Sequence, residues 1–260
     1  MKKEIIIAGY GFVGKAVANS IKDHSILHIV DPKINESVVS DYKYADGVIV
    51  CVGTPSTTLG DCDVSQIYQV IDTVPVHIPI LIKSTIPPNY LEKLLTKYDK
   101  HSICYSPEFL RAATAVEDFK NQTYMVLGGD DPEGFWHSLF QKALPNCKLI
   151  FNTSITEAST IKYATNCFLS VKVAFFNQLY DICEQNGADF NLIRQVMLHD
   201  KRIGNSHSMV PGTDGSRGFG GACFPKDTNA YMHYADRMNQ SHTLVESAIK
   251  YNKKIRKTLT

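Results

Sequence analysis

The strongest constraint on this chain lies close to its amino terminus. An apolar run, Glu4–Ala8 (EIIIA), leads straight into Gly9-Tyr10-Gly11-Phe12-Val13-Gly14, and a second apolar run, Ile26–Val30, ends in Asp31. Short runs of branched apolar residues read as buried strands. After the glycines, Val13, Val17 and Ile21 fall on one face of a helix over Phe12–Lys22. Strand, glycine turn, helix, strand and acidic residue together make the pattern of a dinucleotide site. Gly9 permits the tight turn, Gly11 lets main chain approach a pyrophosphate, and Gly14 lets helix and strand pack closely, with Phe12 and Val13 opening the helix. The phosphates then meet the positive end of that helix. Asp31 is placed to accept hydrogen bonds from the adenosine ribose. A carboxylate there repels a 2′-phosphate, which favours NAD over NADP. Lys33 is the neighbour that could be turned toward a phosphate. A glycine-rich turn in some other α/β protein is the alternative.

The alternation continues. Val48–Val52, Ile80–Lys83, Tyr124–Leu127 and Lys148–Phe151 read as strands; Val64–Val74, with Asp63 as N-cap, Asn89–Tyr98 and a stretch near Glu133–Ala143 read as helices. This predicts a parallel sheet covered on both faces. Ligands of such sheets bind beyond the carboxyl ends of the strands. Val52-Gly53-Thr54-Pro55 and the loop Lys83–Pro87, with Thr85, are therefore cofactor candidates. From Glu157 to Asn186 the pattern changes to a long helical period, with Ser154 and Glu157 as a capping box and Gly187 as C-cap. Helices over Phe190–Leu198 and Thr243–Leu259 flank a Gly-, Ser- and Pro-rich loop, Ile203–Gly221. The expected fold is α/β: a Rossmann-like doubly wound sheet over residues 1–155, then an all-α central dimerisation domain over 156–260.

Composition removes several functions. The formal charge is +1, without basic or acidic blocks, so nothing points to nucleic acid or a membrane surface. No run of about 18 apolar residues occurs, and Met1-Lys2-Lys3 leads straight into a strand, so no signal peptide is expected. Seven cysteines without a CxxC pair, and nine scattered histidines, suggest reduced thiols in a cytoplasm and no metal site.

One thiol is placed differently. In Gly218–Ala230 (GFGGACFPKDTNA), Cys223 stands on a glycine loop with Lys226 and Asp227 directly behind it. Structural cysteines favour apolar cores, whereas a reactive one wants backbone amides, a nearby cation and room for substrate. Lys162 and Asn166, four apart, share a face of the long helix; a lysine running its stem over apolar surface beside a solvated asparagine fits the same spacing. Glu108 and Arg111, in Ser106–Arg111 (SPEFLR), sit on another loop after a strand, and a merely solvated loop is the alternative.

GYGFVG, VCVGTPS, KSTIP, SPEFLR, EASTIKYATNCFLSVKVAFFNQL, DKRIG and GFGGACFPKD follow one another in an order that resembles the UDP-glucose/GDP-mannose dehydrogenases, over essentially the whole chain. The resemblance implies oxidation of the C6 alcohol of a nucleotide sugar to a carboxylate by two NAD molecules, through a thiohemiacetal and a thioester on Cys223. It implies that Lys162 and Asn166 hold the oxyanion, that Asp227 orients or deprotonates water with help from Thr85, and that Glu108 orients water or acts as base. It implies that Lys226 lies near the cofactor. Phe109, Leu110 and Arg111 would lie along the substrate, and Phe219, Gly220 and Gly221 would wrap the sugar. Arg202 would reach it from a neighbouring subunit, in a homodimer. Two departures stand out. Ala112 replaces the usual glutamate after the arginine, and the chain ends where a carboxyl-terminal nucleotide-binding domain would begin. A short form lacking that domain is the expectation. A non-catalytic binding module, or a dehydrogenase for a smaller substrate, are the alternatives.

Overall fold

The structure is a computed structural model that describes residues 2–57 and 60–256. The chain divides into two compact units, Met1–Thr57 with Cys62–Lys162, and Thr58–Asp61 with Tyr163–Thr260.

The first unit is built on β1 (Lys3–Ala8), α1 (Phe12–Ile21), β2 (Ser25–Val30), β3 (Gly47–Val50), α2 (Ser65–Ile71), β4 (Ile80–Ile82), α3 (Pro88–Lys97), β5 (Ile103–Tyr105), α4 (Ala115–Lys120), β6 (Tyr124–Gly129), α5 (Phe135–Ala143) and β7 (Leu149–Thr153). One seven-stranded sheet runs β2-β1-β3-β4-β5-β6-β7. The EIIIA run is apolar throughout because both faces of β1 are covered. Ile6 and Ala8 pack in a layer with α2 and α3, while Ile5 and Ile7 pack in the opposite layer with α1, α4 and α5. Successive strand residues point to opposite faces, so only continuous apolarity satisfies both layers.

The sheet departs from the expected parallel one at a single seam. β5 and β6 are antiparallel, paired as Cys104↔Gly129 and Tyr105↔Gly128, while the other pairings are parallel. The chain between β5 and β6 carries α4, which the sequence reading did not separate from the loop. Asp63 also sits one position off: its Oδ1 accepts from Ser65 N at 2.9 Å, and Val64 occupies the N-cap.

A long helix, α6 (Ile155–Asn186), starts in the first unit and continues into the second. Ser154 and Glu157 make the expected capping box, with Ser154 N donating to Glu157 Oε2 at 2.7 Å and Glu157 N to Ser154 Oγ at 3.2 Å. Gly187 follows at φ 73°, the left-handed conformation of a helix terminus. The second unit adds α7 (Phe190–Met197), α8 (Phe224–Arg237) and α9 (Thr243–Ile255). α9 stops at Ile255 with Arg256 as its C-cap, and residues 257–259, over which the last helix was expected to run to Leu259, lie outside the described ones.

The sides of α6 are mixed in character. Its buried side includes Ser159, Lys162, Asn166, Ser170 and Asn177, whereas Phe168, Phe175 and Ile182 are 67, 51 and 59% exposed. Ala158, Tyr163, Cys167, Ala174 and Phe176 are buried along with the polar residues, so this helix buries polar and apolar side chains together.

Candidate active site

The predicted site residues fall into two groups, one in each unit. In the first, β1 and β3 are neighbours while β2 lies beyond β1, so the chain reverses strand order at the end of β1, where open sheets take ligands. Gly9 has φ 91°, and a Cβ there would stand 2.8 Å from the Cys51–Val52 backbone. A Cβ on Gly14 would collide with the Gly9 carbonyl oxygen, whereas one on Gly11 would meet nothing within 4 Å. Gly9 thus lets the end of β1 lie against the chain leaving β3, Gly14 lets α1 lie against Gly9, and Gly11 faces open space. Phe12 and Val13 open α1, whose N-cap is Gly11; no side chain caps it and its first turn carries no acidic residue, leaving its amides to an anion.

Asp31 ends β2. Its Oδ2 accepts from Tyr10 N at 2.6 Å and its Oδ1 from Lys33 N at 2.9 Å. These two backbone bonds hold its carboxyl below the usual range, so it stays ionised. Beyond β3 and β4 the two predicted loops are tied together. Thr54 Oγ1 donates to Thr85 O at 2.9 Å, and Ser84 Oγ to Val52 O at 2.8 Å. Gly53 and Pro55 are exposed beside them. The free α1 amides, the fixed carboxylate and the open flank of Gly11 fit a dinucleotide.

Glu108 and Lys162 form an ion pair at 2.9 Å with side-chain exposures of 4 and 3%. Lys162 Nζ also donates to Glu108 O at 2.6 Å and lies over the Phe109 ring, while Glu108 Oε2 accepts from Leu110 N at 2.6 Å. Lys162 is thus not a solvated lysine. Arg111 turns outward, its guanidinium forked onto Asp118, and pulls the Asp118 carboxyl down to about 2. Ala112 begins an exposed 3-10 turn.

Lys83, which opens the Lys83–Pro87 loop, is 1% exposed and donates to Ser106 Oγ at 3.1 Å between the rings of Phe119 and Phe140. Burial pushes it down to about 8.

In the second unit, Cys223 is not on an extended loop. It is the N-cap of α8, with Pro225 in the first turn. The signal was present: proline just inside a helix start, with Asp227 in the first turn. The polar helix behind it hid the period. Asp227, 1% exposed, receives Lys226 Nζ on Oδ1 at 2.6 Å and Asn166 Nδ2 on Oδ2 at 2.6 Å. Asn166 therefore lies buried on a carboxylate, and Lys226 is committed to Asp227. Phe219 is buried and its backbone is held by Asn252, while Gly220 and Gly221 lie between it and Cys223. Arg202 is exposed and paired with Asp200. None of the seven cysteines is in a disulfide; burial holds Cys51, Cys104 and Cys167 at about 12. Among the described residues no cluster of His, Cys, Asp and Glu suits a metal, and no helix is long and apolar enough to cross a membrane.

Residues 32–143 match the NAD binding domain, and residues 156–254 the central domain, of one family model set, UDP-glucose/GDP-mannose dehydrogenase. The chain belongs to the UDP-glucose/GDP-mannose dehydrogenase family. The glycine loop precedes the matched span, so its reading rests on the geometry above. A UDP-glucose 6-dehydrogenase of Rickettsia typhi is 34% identical over 224 residues, covering 82% of this chain and 50% of that protein. UDP-glucose 6-dehydrogenase YwqF of Bacillus subtilis is 34% identical over 219 residues, covering 80 and 48%. The chain therefore spans about half the length of these curated relatives. Among solved structures, a UDP-glucose dehydrogenase from Pyrobaculum islandicum superposes with a TM-score of 0.84 at 22% identity, covering 98% of this chain and 68% of that one. That likeness supports the family's fold, a mostly parallel Rossmann-like sheet followed by helices.

Proposed function

We propose that this chain oxidises the C6 hydroxyl of a nucleotide sugar, UDP-glucose in the first instance, to the uronate. Residues 1–155 then serve as the NAD-binding domain and 156–260 as the central domain. NAD supplies the hydride acceptor for both oxidation steps. Gly9, Gly11, Gly14 and Asp31 hold it, the loops at Val52–Pro55 and Thr85 flank it, and Phe12, Val13, Lys33 and Lys226 complete its surroundings.

The first oxidation removes a hydride from C6 and a proton from its hydroxyl, leaving an aldehyde. Cys223 sulfur adds to that carbon, and the thiohemiacetal keeps the aldehyde from escaping. Loss of a second hydride and a proton gives a thioester. Water adds to the thioester and the thiolate leaves, producing the carboxylate. Lys162 and Asn166 stabilise the oxygen as it gains charge. Asp227 takes a proton from the attacking water, with Thr85 assisting. Glu108 is committed to Lys162 and Leu110 N–H, so we assign it to holding the ammonium in place. Phe109, Leu110, Arg111, Phe219, Gly220 and Gly221 line the substrate's path.

The observation that carries this reading is the buried Lys226–Asp227–Asn166 chain at the start of the helix that Cys223 caps. A carboxylate with 1% exposure, placed four residues behind a thiol, has little reason to be desolvated unless chemistry needs it. The exposed row Phe168, Phe175 and Ile182, spaced i, i+7, i+14, supports a homodimer through α6, with Arg202 reaching the partner's substrate. The undivided thiols suit the cytoplasm.

The test is a stoichiometry. Two NADH should form per UDP-glucose, and Cys223→Ala should abolish uronate formation while NAD still binds. A Cys223→Ala protein that makes uronate at the wild-type rate would end the reading. Wild-type protein that binds the nucleotide sugar but forms no NADH would favour a binding module.

A further inference from the structure

The residues just before Cys223 have no strand or helix to fix them, and their place is set by side chains from two helices. Asn252 on α9 forms a two-bond clamp on Phe219: Phe219 N donates to Asn252 Oδ1 at 2.7 Å, and Asn252 Nδ2 donates to Phe219 O at 2.9 Å. One turn later, Arg256 donates to Arg217 O at 3.3 Å and to Gly218 O at 3.1 Å, anchored by Asp214 at 2.5 Å. From α6, Asn177 Oδ1 accepts from Gly218 N at 3.1 Å and from Arg217 Nε at 3.3 Å. The Arg217 guanidinium is itself fixed, on Asp181 at 2.6 Å and over the Tyr180 ring.

The glycines belong to the same device. A Cβ on Gly218 would strike the Asn252 amide, and one on Gly220 would strike the Arg256 guanidinium. Substrate contact was the sequence-level reason for glycine here; the geometry supplies another, since both positions are bare where a side chain of α9 passes. Amide-to-backbone bonds of this kind stand in for a missing ladder, satisfying donor and acceptor of one residue at once.

We propose that Asn252 is a positioning residue for Cys223, and that α9 sets the thiol's place through the Phe219 backbone. This rests on the functional reading above for its catalytic consequence, though the clamp can be tested without turnover. The chain from Phe219 to Cys223 is five residues long and contains two glycines, so releasing Phe219 loosens the hold on Cys223 at the N-cap of α8. The Cys223 side chain makes no cap bond to the helix amides; a thiolate displaced from this position would lose the favourable field of the helix N-terminus.

The experiment compares wild type, Asn252→Ala and Asn252→Asp in the full chain. Three readouts are taken: amide hydrogen exchange, the pH profile of Cys223 alkylation by iodoacetamide followed by peptide mass spectrometry, and turnover of UDP-glucose with NAD. Asn252→Ala should speed exchange at residues 217–223 and move the alkylation midpoint to higher pH. It should also lower kcat by about 10- to 100-fold, with KM changed far less, as expected for misplacement of a reacting group. Asn252→Asp keeps the acceptor for Phe219 N and should recover part of each effect. Faster exchange with an unmoved alkylation profile would overturn the positioning role, and unchanged exchange would overturn the clamp itself. If Cys223→Ala is as active as wild type, the catalytic reading fails instead, and exchange and alkylation still decide the clamp.

Discussion

Two lysines of the first unit are equally buried and differently accompanied. Lys162, on α6, meets the Glu108 carboxylate. Lys83, at the end of β4, meets a serine hydroxyl and two phenyl faces, and among the described residues it has no ion-pair partner. Burying an ammonium ion without a counter-charge is expensive, and the usual outcome is a lowered pKa. That is seen for Lys83, which falls to about 8 with desolvation as the first cause. The contrast separates two uses of a buried lysine. Where a carboxylate was built to hold the charge, the charge is wanted. At Lys83 the protein accommodates an amine that is close to losing its proton.

The largest test of this difference removes the partner. Glu108→Ala leaves Lys162 buried without its counter-ion and leaves Leu110 N–H without an acceptor. Breaking one side of a buried pair typically costs about 3–5 kcal/mol, so urea unfolding should shift by that order. A loss under about 1 kcal/mol would mean that Lys162 finds solvent or another carboxylate, and the distinction from Lys83 would collapse.

The second test acts on the other lysine and has the opposite sign. Lys83 has a folded-state pKa of about 8 against an ordinary 10.5, so the folded state binds fewer protons than the unfolded state between these values, and stability rises with pH there. Below pH 8 both states are protonated and the fold carries the full penalty. The gap, 10.5 − 8, corresponds to about 3 kcal/mol. Lys83→Met should therefore be more stable than wild type at pH 7 by up to that amount. The advantage should shrink from pH 8 upward and be gone above about pH 10.5. An advantage independent of pH over this range would assign the gain to packing and not to charge.

The sequence revealed the first unit better than the second for a reason that these residues show. Gly9, Gly14 and Asp31 work through backbone–backbone packing and a strand end, and both follow from local pattern: a strand, a turn, a helix. The loop before Cys223 is fixed by Asn177, Asn252 and Arg256, which come from helices about 30 to 45 residues away in sequence. No spacing rule links them to it. Lys162 and Asn166 could be paired by their i, i+4 spacing, but their partners Glu108 and Asp227 are 54 and 61 residues distant. α8 shows no clear helical period because its buried face is partly polar, Asp227 and Thr228 among it; in α6, whose extent the period does mark, polar Lys162 and Asn166 are buried along with Cys167 and Ala174.

A third lysine gives the smallest test and sharpens the comparison. Lys226 pairs with Asp227 at 2.6 Å, like Lys162 with Glu108, but its side chain is 18% exposed while the carboxylate is 1% exposed. Removing it leaves Asp227 with the Asn166 amide as a donor and lets water approach from the side that Lys226 covered. Lys226→Met should thus cost only about 1.5–3 kcal/mol, the worth of a hydrogen bond to a charged group, below the loss for Glu108→Ala. Urea titrations of the two variants, run side by side, give the ranking. If Lys226→Met proves as damaging as Glu108→Ala, solvent access is not what separates the two pairs, and Asp227 depends on its neighbouring ammonium as fully as Lys162 depends on Glu108.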